Sequence, residues 1–322
     1  MPLFYACSSG NIEVLKCLIK HGADINKESI YGEALLFKAC GKENESLMKY
    51  LVENGADINK ENMRGATPLF YACESGNEAI VKYLVEHVAD INKEKENGET
   101  PLFYACLEGK ETVVKYLVEL GADINKENEN GETLLFNACS SGNEAVLKYL
   151  VELGANINKE SWDGRTPLFY VKNEAIAKYL VELGTDINKE NEIDVTPLFY
   201  ACGSGNETVV KYLIEHGANI NIEKYNGETP LFDACVGGNE SLVKYLVENG
   251  ADINKQNEFW KTPLTVACEM GNKAVAKCLL EYGANINYVD DNVLKNVEEV
   301  VEEYLIEYGI WNSINSNFKT TL

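Results

Sequence analysis

Histidine is scarce in this 322-residue sequence, which contains three. His21, His87 and His216 occupy the same position of a repeating pattern, 66 and 129 residues apart. In a repeat array they would lie two and four repeats apart, too far to share a substrate, and each is better interpreted as a cation near a helix C-terminus. Phosphate-binding glycine clusters, calcium-loop spacing and paired cysteine and histidine ligands are also missing. We therefore expect no enzyme activity, no cofactor and no metal site.

Basic residues are outnumbered. The sequence contains 29 lysines and arginines and 51 aspartates and glutamates, which gives a net charge of −22. Binding a phosphate backbone requires clustered lysine and arginine, so we expect no nucleic-acid partner. Two interpretations of the acidic charge stay open. It keeps an extended array soluble, or it steers a basic protein partner toward the surface.

Long apolar runs and a signal-peptide pattern are absent, so we expect no membrane partner. The ten cysteines do not suggest disulfides, because most of them occupy one position of successive repeats and equivalent positions lie too far apart to bridge. We expect buried reduced thiols in a cytoplasmic protein, with the nucleus or a host cytosol left open. The eight equivalent cysteines are Cys7, Cys40, Cys73, Cys106, Cys139, Cys202, Cys235 and Cys268.

A Pro-Leu-Phe step recurs every 33 residues, with one interval of 30 residues between Pro167 and Pro197. A fixed period of this size indicates a stacked repeat array rather than a domain with one central core. The other prolines of the pattern are Pro2, Pro68, Pro101, Pro230 and Pro263, and Leu35 and Leu134 take the proline position in two repeats.

One repeat, residues 97–126, shows the physical logic of the pattern. Thr100 is a favourable N-cap and Pro101 suits the first helical position, so a first helix begins here and ends near Gly109. A second helix carries an apolar stripe through Val113 and Leu117. An extended segment and an Asn-Gly turn then predict a hairpin. Neither helix can bury its stripe alone, so each repeat must stack on its neighbours.

These residues resemble the ankyrin repeat. The family's Gly-x-Thr-Pro-Leu-His, Ala and Gly-Ala-Asp elements match Gly98, the segment 100–103, Ala105 and the segment 121–123. The resemblance implies an all-α repeat solenoid of helix-turn-helix pairs joined by β-hairpin loops. The family's histidine is replaced by phenylalanine in eight repeats and by Thr265 in the last, so we expect apolar packing in place of an inter-repeat polar link.

We predict nine repeats followed by a C-terminal segment. The boundaries are 1–29 for repeat 1 with a truncated start, 30–62, 63–95, 96–128, 129–161, 162–191 for a short repeat 6, 192–224, 225–257, 258–290, and 291–322 for a capping helix and tail. Because the first repeat starts inside the motif, we hypothesise that the chain is a piece of a longer protein. The three residues missing from repeat 6 suggest a hinge around residues 160–200, with neutral drift as the alternative. Val88 replaces the glycine that ends a second helix, where positive φ strains a β-branched residue.

Residues that vary between otherwise similar repeats are the candidate binding residues. The resemblance implies that hairpin tips and the exposed, concave face of the first helices contact partners, and large aromatics are frequent in interfaces. Alternatively, these rings pack between repeats or cover neighbouring hairpins. The candidates are Tyr31, Arg64, Trp162, Tyr225, Phe259 and Trp260 at the tips, and Tyr5, Tyr71, Tyr104, Tyr170 and Tyr200 on the first helices.

We predict a monomeric, non-catalytic array whose concave face and hairpin tips bind another protein, through a basic or apolar segment of that partner. The alternative is an ankyrin spacer or targeting segment of a larger enzyme, channel or effector protein. The resemblance also suggests that hairpin asparagines such as Asn59 are candidates for hydroxylation.

Overall fold

Short paired helices make up the part of the chain that the structure, a computed structural model, describes: residues 2–286. The chain divides into two units, residues 1–172 and 173–322. The first contains α1 (Pro2–Ser8), α2 (Ile12–Lys20), α3 (Leu35–Gly41), α4 (Glu45–Glu53), α5 (Pro68–Ser75), α6 (Glu78–Glu86), α7 (Pro101–Leu107), α8 (Glu111–Glu119), α9 (Leu134–Ser141), α10 (Glu144–Glu152) and a 3₁₀ turn (Pro167–Tyr170). The second contains α11 (Glu174–Glu182), α12 (Pro197–Gly203), α13 (Glu207–Glu215), α14 (Pro230–Gly237), α15 (Glu240–Glu248), α16 (Pro263–Glu269) and α17 (Lys273–Glu281). The capping helix and tail predicted for 291–322 lie outside the described residues.

Loops rather than strand pairs join the helices in residues 2–286. In the fourth loop, the Asn128 N–H donates to the Glu132 carbonyl (3.0 Å) and the Gly131 N–H donates to the Asn128 carbonyl (2.9 Å). One backbone bond, from the Glu129 N–H to the Asn97 carbonyl (2.9 Å), links this turn to the preceding one. Each unit is thus an all-α repeat solenoid, as predicted, and the hairpins are tight turns without a strand ladder.

Most first helices begin at a Thr-Pro step, but in all of these except α16 the threonine hydroxyl does not cap the helix. Thr100 is extended, Pro101 opens α7, and the Phe103 N–H bonds to the Thr100 backbone carbonyl (3.0 Å) instead of the hydroxyl. Phe103 occupies the position of the family's histidine, and its ring has no polar atom to bond the threonine. In α16, by contrast, Thr265 supplies a polar side chain, and Thr262 and Thr265 form a capping box. The other N-cap threonines whose hydroxyl makes no capping bond are Thr67, Thr133, Thr166, Thr196 and Thr229.

Most second helices begin at an asparagine that does cap. The Asn77 carboxamide oxygen accepts from the Ile80 N–H (3.1 Å), and Glu78 in the first turn is favourable to the helix dipole. The apolar stripe of α6 faces α5, the first helix of its repeat, and Ile80, Val81 and Leu84 in it are fully buried. The two helices of such a repeat therefore bury their apolar side chains against each other.

Two repeating contacts join neighbouring repeats within a unit. In the first, Lys49 lies 5.6 Å from the centre of the Tyr83 ring in the next second helix while it pairs with Glu45 (2.5 Å). A contact of this kind is worth about 0.5–1 kcal/mol at an exposed site. It recurs at Lys16–Tyr50, Lys82–Tyr116, Lys115–Tyr149 and Lys211–Tyr245.

The second contact is an asparagine bridge between loops. The Asn59 amide donates to the Val88 carbonyl (2.9 Å), and its oxygen accepts from the Asp90 N–H (3.0 Å). The bridge therefore satisfies backbone groups at the end of the following second helix, where helices leave carbonyls unpaired. Equivalent bridges start from Asn26, Asn188 and Asn221. The candidate hydroxylation residue Asn59 is thus a structural link.

Repeat 6 departs from the pattern because three residues are missing. Its first helix shrinks to the 3₁₀ turn Pro167–Tyr170, and Val171 is already extended (φ −65°, ψ 131°). The turn still buries Leu168 and Phe169, so the deletion removes helix length but keeps the apolar contact. The boundary between the two units falls after Lys172, inside this repeat. The hinge stays a prediction.

Four residues other than glycine have positive φ in residues 2–286: Glu43, Val88, Asp194 and Trp260. Val88 keeps the glycine-like turn, with φ +67°, and its side chain is 80% exposed. The left-handed conformation costs an L-residue roughly 1–2 kcal/mol. The strain that the sequence predicted at Val88 is therefore tolerated, and little packing offsets it.

Val88→Gly is expected to raise the free energy of unfolding by about 1 kcal/mol, since the strain is relieved and both backbone bonds of residue 88 stay possible. Gly121→Val is the matched control: Gly121 has φ +90° and no heavy atom lies within 4 Å of the place that a Cβ would occupy, so the change introduces the same strain without a clash. Urea denaturation should place the two variants on opposite sides of the parent protein. Destabilisation by Val88→Gly would contradict the assignment of strain.

Thr229→Val is expected to leave the free energy of unfolding unchanged or higher, because the Thr229 hydroxyl is buried without a hydrogen-bond partner in the described structure. Thr262→Val removes a capping hydroxyl and should lower stability by about 1 kcal/mol. The two substitutions are chemically identical, and denaturant midpoints compare them directly. Equal losses would show that the phenylalanine repeats still use their threonines.

Candidate functional site

The candidate tip residues lie at the three positions occupied by Glu96, Asn97 and Gly98 in repeat 4, which are called here the tip positions. The predicted aromatics at these positions are exposed: Tyr31 by 65%, Trp162 by 72%, Tyr225 by 62%, Phe259 by 66% and Trp260 by 77%. Arg64 is exposed as well. The turn geometry thus presents large apolar side chains to solvent.

Neighbouring tips are joined by a backbone hydrogen bond. The N–H of the first tip position donates to the carbonyl of the second tip position in the preceding repeat. The Met63 N–H, for example, donates to the Tyr31 carbonyl (3.1 Å). A cleft of about 490 Å³ opens between these two tips, and an equivalent cleft of about 400 Å³ opens three repeats later. The first cleft is lined by Tyr31, Glu33, Asn62, Met63, Arg64 and Tyr71, and the second by Glu129, Asn130, Glu132, Trp162, Asp163 and Arg165.

The first-helix tyrosines behave differently from the tips. The Tyr71 ring packs edge-on against Phe37, with ring centres 5.4 Å apart, and its hydroxyl donates to Glu33 (2.7 Å). Burial, with the contribution of Glu33, raises the pKa of Tyr71 to about 12. Tyr104 packs in the same way on Phe70 (5.5 Å). These rings sit on the preceding repeat and offer only part of their surface to a partner.

The remaining members of the tyrosine set occupy two environments. Tyr170 packs against Phe136 at 5.6 Å, accepts from Arg165 (3.0 Å) and donates to Glu132 (3.0 Å). Burial is the main cause that raises the pKa of Tyr170 to about 12. Tyr200 is half-buried, whereas Tyr5 in α1 is largely exposed. Tyr71, Tyr104 and Tyr170 are therefore each held against a phenylalanine of the preceding repeat.

Sequence reasoning missed three exposed aliphatic residues at tip positions. Ile30 precedes Tyr31, Met63 precedes Arg64, and Ile193 takes the second tip position of repeat 7; all three are exposed. A comparison of the first and second tip positions across all repeats would have found them, since four repeats carry glutamate at the first position and three carry asparagine at the second. The apolar character of the tips is wider than the aromatic residues alone indicate.

Many lysines in the loops are neutralised locally. Lys93 pairs with Glu61 of the preceding repeat (2.7 Å), and the same pairing joins Lys126 to Glu94 (2.8 Å). Such exposed pairs contribute at most about 1 kcal/mol each. Their larger effect is on the electrostatic field, because these paired lysines are not free to neutralise the other carboxylates of a chain whose net charge is −22. Further pairs are Lys60–Glu28, Lys159–Glu127 and Lys255–Glu223.

Reactive side chains do not converge in the described residues. His87 stacks on Tyr83 (4.0 Å) and donates from its ring to the Tyr83 carbonyl (2.8 Å), and His216 does the same with Tyr212. Across residues 2–286, no three histidine, cysteine, aspartate or glutamate side chains are placed to hold a metal ion. No described helix is both long and apolar enough to cross a membrane.

All ten cysteines are free, and nine of them are buried. Burial raises the pKa of Cys268 to about 11 and raises that of Cys73 and Cys106 further. A thiol must ionise to act as a nucleophile, so these side chains are packing groups of low reactivity. Cys17 in α2 is the exposed exception.

One thiol per chain is expected to react rapidly with Ellman's reagent at pH 8, and the others only after denaturation, because the nine buried thiols are shielded from the reagent and from ionisation. Cys17→Ser should abolish the rapid phase and leave the denatured total lower by one. Two or more rapid thiols in the native protein would contradict the burial.

The fold and the tip geometry define an array of stacked helical pairs with loops that project exposed side chains. Family comparisons agree with this class. The family described as ankyrin repeats (3 copies) matches residues 1–62, 36–128, 120–191 and 171–257, and the single ankyrin repeat matches residues 260–291. The chain belongs to the ankyrin repeat family. No curated protein matches its sequence.

Proposed function

We propose that this chain is a non-catalytic protein that binds another protein through its hairpin tips and the adjoining face of its first helices. The proposal is supported by the family, whose repeats are generally protein-interaction modules. The observation that carries it is the exposure of the tip aromatics in a strongly acidic chain, where nothing in the fold requires an aromatic at a loop tip.

The tips also satisfy the physical requirements of an interface. Tryptophan and tyrosine dominate binding energy because they bury a large area with few rotatable bonds, and a central one contributes about 2 kcal/mol or more. Half-buried tyrosines of the first helices, such as Tyr71, are held by ring contacts and hydrogen bonds, so they are preorganised before a partner binds. We propose that the protein acts as a monomer in a reducing compartment.

Replacement of Trp162, Tyr225 and Trp260 by alanine is expected to weaken capture of a partner by at least tenfold, because each side chain loses most of its apolar contact area. Thermal stability should not fall, since all three side chains are exposed. The measurement is quantitative affinity purification from a reducing extract, followed by titration of the captured protein.

The matched control removes three apolar side chains from another surface. Leu120, Leu153 and Leu183 follow second helices and are 44–46% exposed, so their replacement by alanine removes similar chemistry away from the tips. Capture should survive this triple change. Loss of capture in the leucine variant and not in the tip variant would overturn the proposed surface.

A further inference from the structure

Three consecutive loops of the second unit carry a row of exposed apolar side chains. Ile193, Tyr225, Phe259 and Trp260 occupy tip positions of repeats 7, 8 and 9, and all are exposed. The loops are linked in sequence, because the Tyr225 N–H donates to the Ile193 carbonyl (3.4 Å) and the Glu258 N–H donates to the Asn226 carbonyl (2.9 Å). These four side chains are called here the second-unit row.

The backbone under this row is strained. Trp260 has φ +61° and Asp194 has φ +59° at the position where most other repeats have glycine. In that conformation an L-residue is unfavourable by comparison with glycine, and a bulky ring makes the backbone choice worse. Strained residues of this kind cluster at functional sites, where the side chain is needed in spite of the strain. Trp260 has little burial to offset it.

Carboxylates without basic partners border the row. Among the described residues no lysine, arginine or histidine pairs with Glu192, Asp194 or Glu258. The nearest tip lysines are occupied, because Lys224 bonds Asp233 (2.9 Å) and Glu228 (3.0 Å) and Lys261 bonds Glu269 (2.7 Å). The row is therefore apolar along its length and negative at its edges.

We infer that the second-unit row docks an extended, polyproline-II-like segment of a partner protein, in which apolar or aromatic residues recur at every third position and basic residues lie between them. This inference rests on the proposed function and names the chemistry of its partner. Apolar side chains of the segment cover the row, and lysine or arginine side chains meet Glu192, Asp194 and Glu258. Neighbouring repeats are about 8–10 Å apart, and a polyproline-II segment rises about 3.1 Å per residue with three residues per turn, so every third side chain faces a successive tip.

A defined probe tests this chemistry on the full chain. It is a fluorescein-labelled peptide of Tyr-Arg-Ser repeated four times, compared with Tyr-Glu-Ser and Ser-Arg-Ser peptides of the same length. Fluorescence anisotropy should show saturable binding of the first peptide only, because the surface needs both a ring and a positive charge. Binding should weaken as the NaCl concentration rises from about 50 to about 300 mM, since exposed charges are screened.

Charge reversal locates the site. Glu192→Lys combined with Glu258→Lys should weaken binding of the Tyr-Arg-Ser peptide by at least tenfold. Glu86→Lys combined with Glu119→Lys is the control, since it makes the same charge change at exposed ends of two second helices away from the tips, and it should weaken binding by less than about threefold. Equal losses in both variants would show attraction to the net charge alone and would overturn the site.

Trp260→Gly separates binding from stability. It should weaken peptide binding by about fivefold or more and at the same time raise the denaturation midpoint, because the ring is lost and the backbone strain is relieved. Val88→Gly should raise the midpoint and leave binding unchanged. A Trp260→Gly variant that binds the peptide as tightly as the parent would remove the row from the binding surface.

The remaining outcomes distinguish this inference from the function on which it rests. If no basic peptide binds but the alanine tip variant still loses capture, the partner class is wrong and the binding function stands. If neither experiment depends on the tips, both are wrong. Saturable binding to phosphatidylcholine vesicles in place of the peptide would identify the row as a lipid contact and overturn the assignment to a protein segment.

Discussion

The contact between neighbouring repeats is the interaction on which the rest of this structure depends. The described α-helices have seven to nine residues, a length at which an isolated helix is unstable in water. A single pair buries one apolar seam and leaves its flanks open. Lysine over tyrosine and asparagine across the loops connect one repeat to the next, so that order in any repeat is supported by its neighbours.

This dependence explains which features the sequence could predict. The period, the Thr-Pro helix start and the glycine stop are local signals, and the structure confirms an all-α repeat solenoid. The replacement of histidine by phenylalanine predicted apolar packing. In the structure, the threonines that precede these phenylalanines accordingly make no capping bond with their hydroxyls. The capping box of Thr262 and Thr265 needed coordinates, because a pattern of letters does not show which hydroxyl turns toward which amide.

The candidate site was less predictable than the fold. Repeat comparison identified the tip aromatics, since packing does not fix their identity, but exposure could not be read from the sequence. Tyr71 and Trp162 are both aromatic variants in the sequence, yet one is held by Phe37 and Glu33 and the other is mostly in solvent. The difference in exposure depends on whether the preceding repeat offers side chains against which the ring can pack. Likewise, the sequence shows that repeat 6 lacks three residues, but it does not show that the first helix of this repeat becomes a 3₁₀ turn.

The recurrence of the Lys49–Tyr83 type of contact has a consequence for how such a gene changes. The same lysine and tyrosine meet at these five junctions, so one of them is chemically interchangeable with another. Unequal crossing-over that adds or removes whole periods joins two compatible faces and creates no mismatched seam. Array length can therefore vary by recombination while each remaining loop keeps its own surface residues, and binding properties can be reshuffled without redesign of the core.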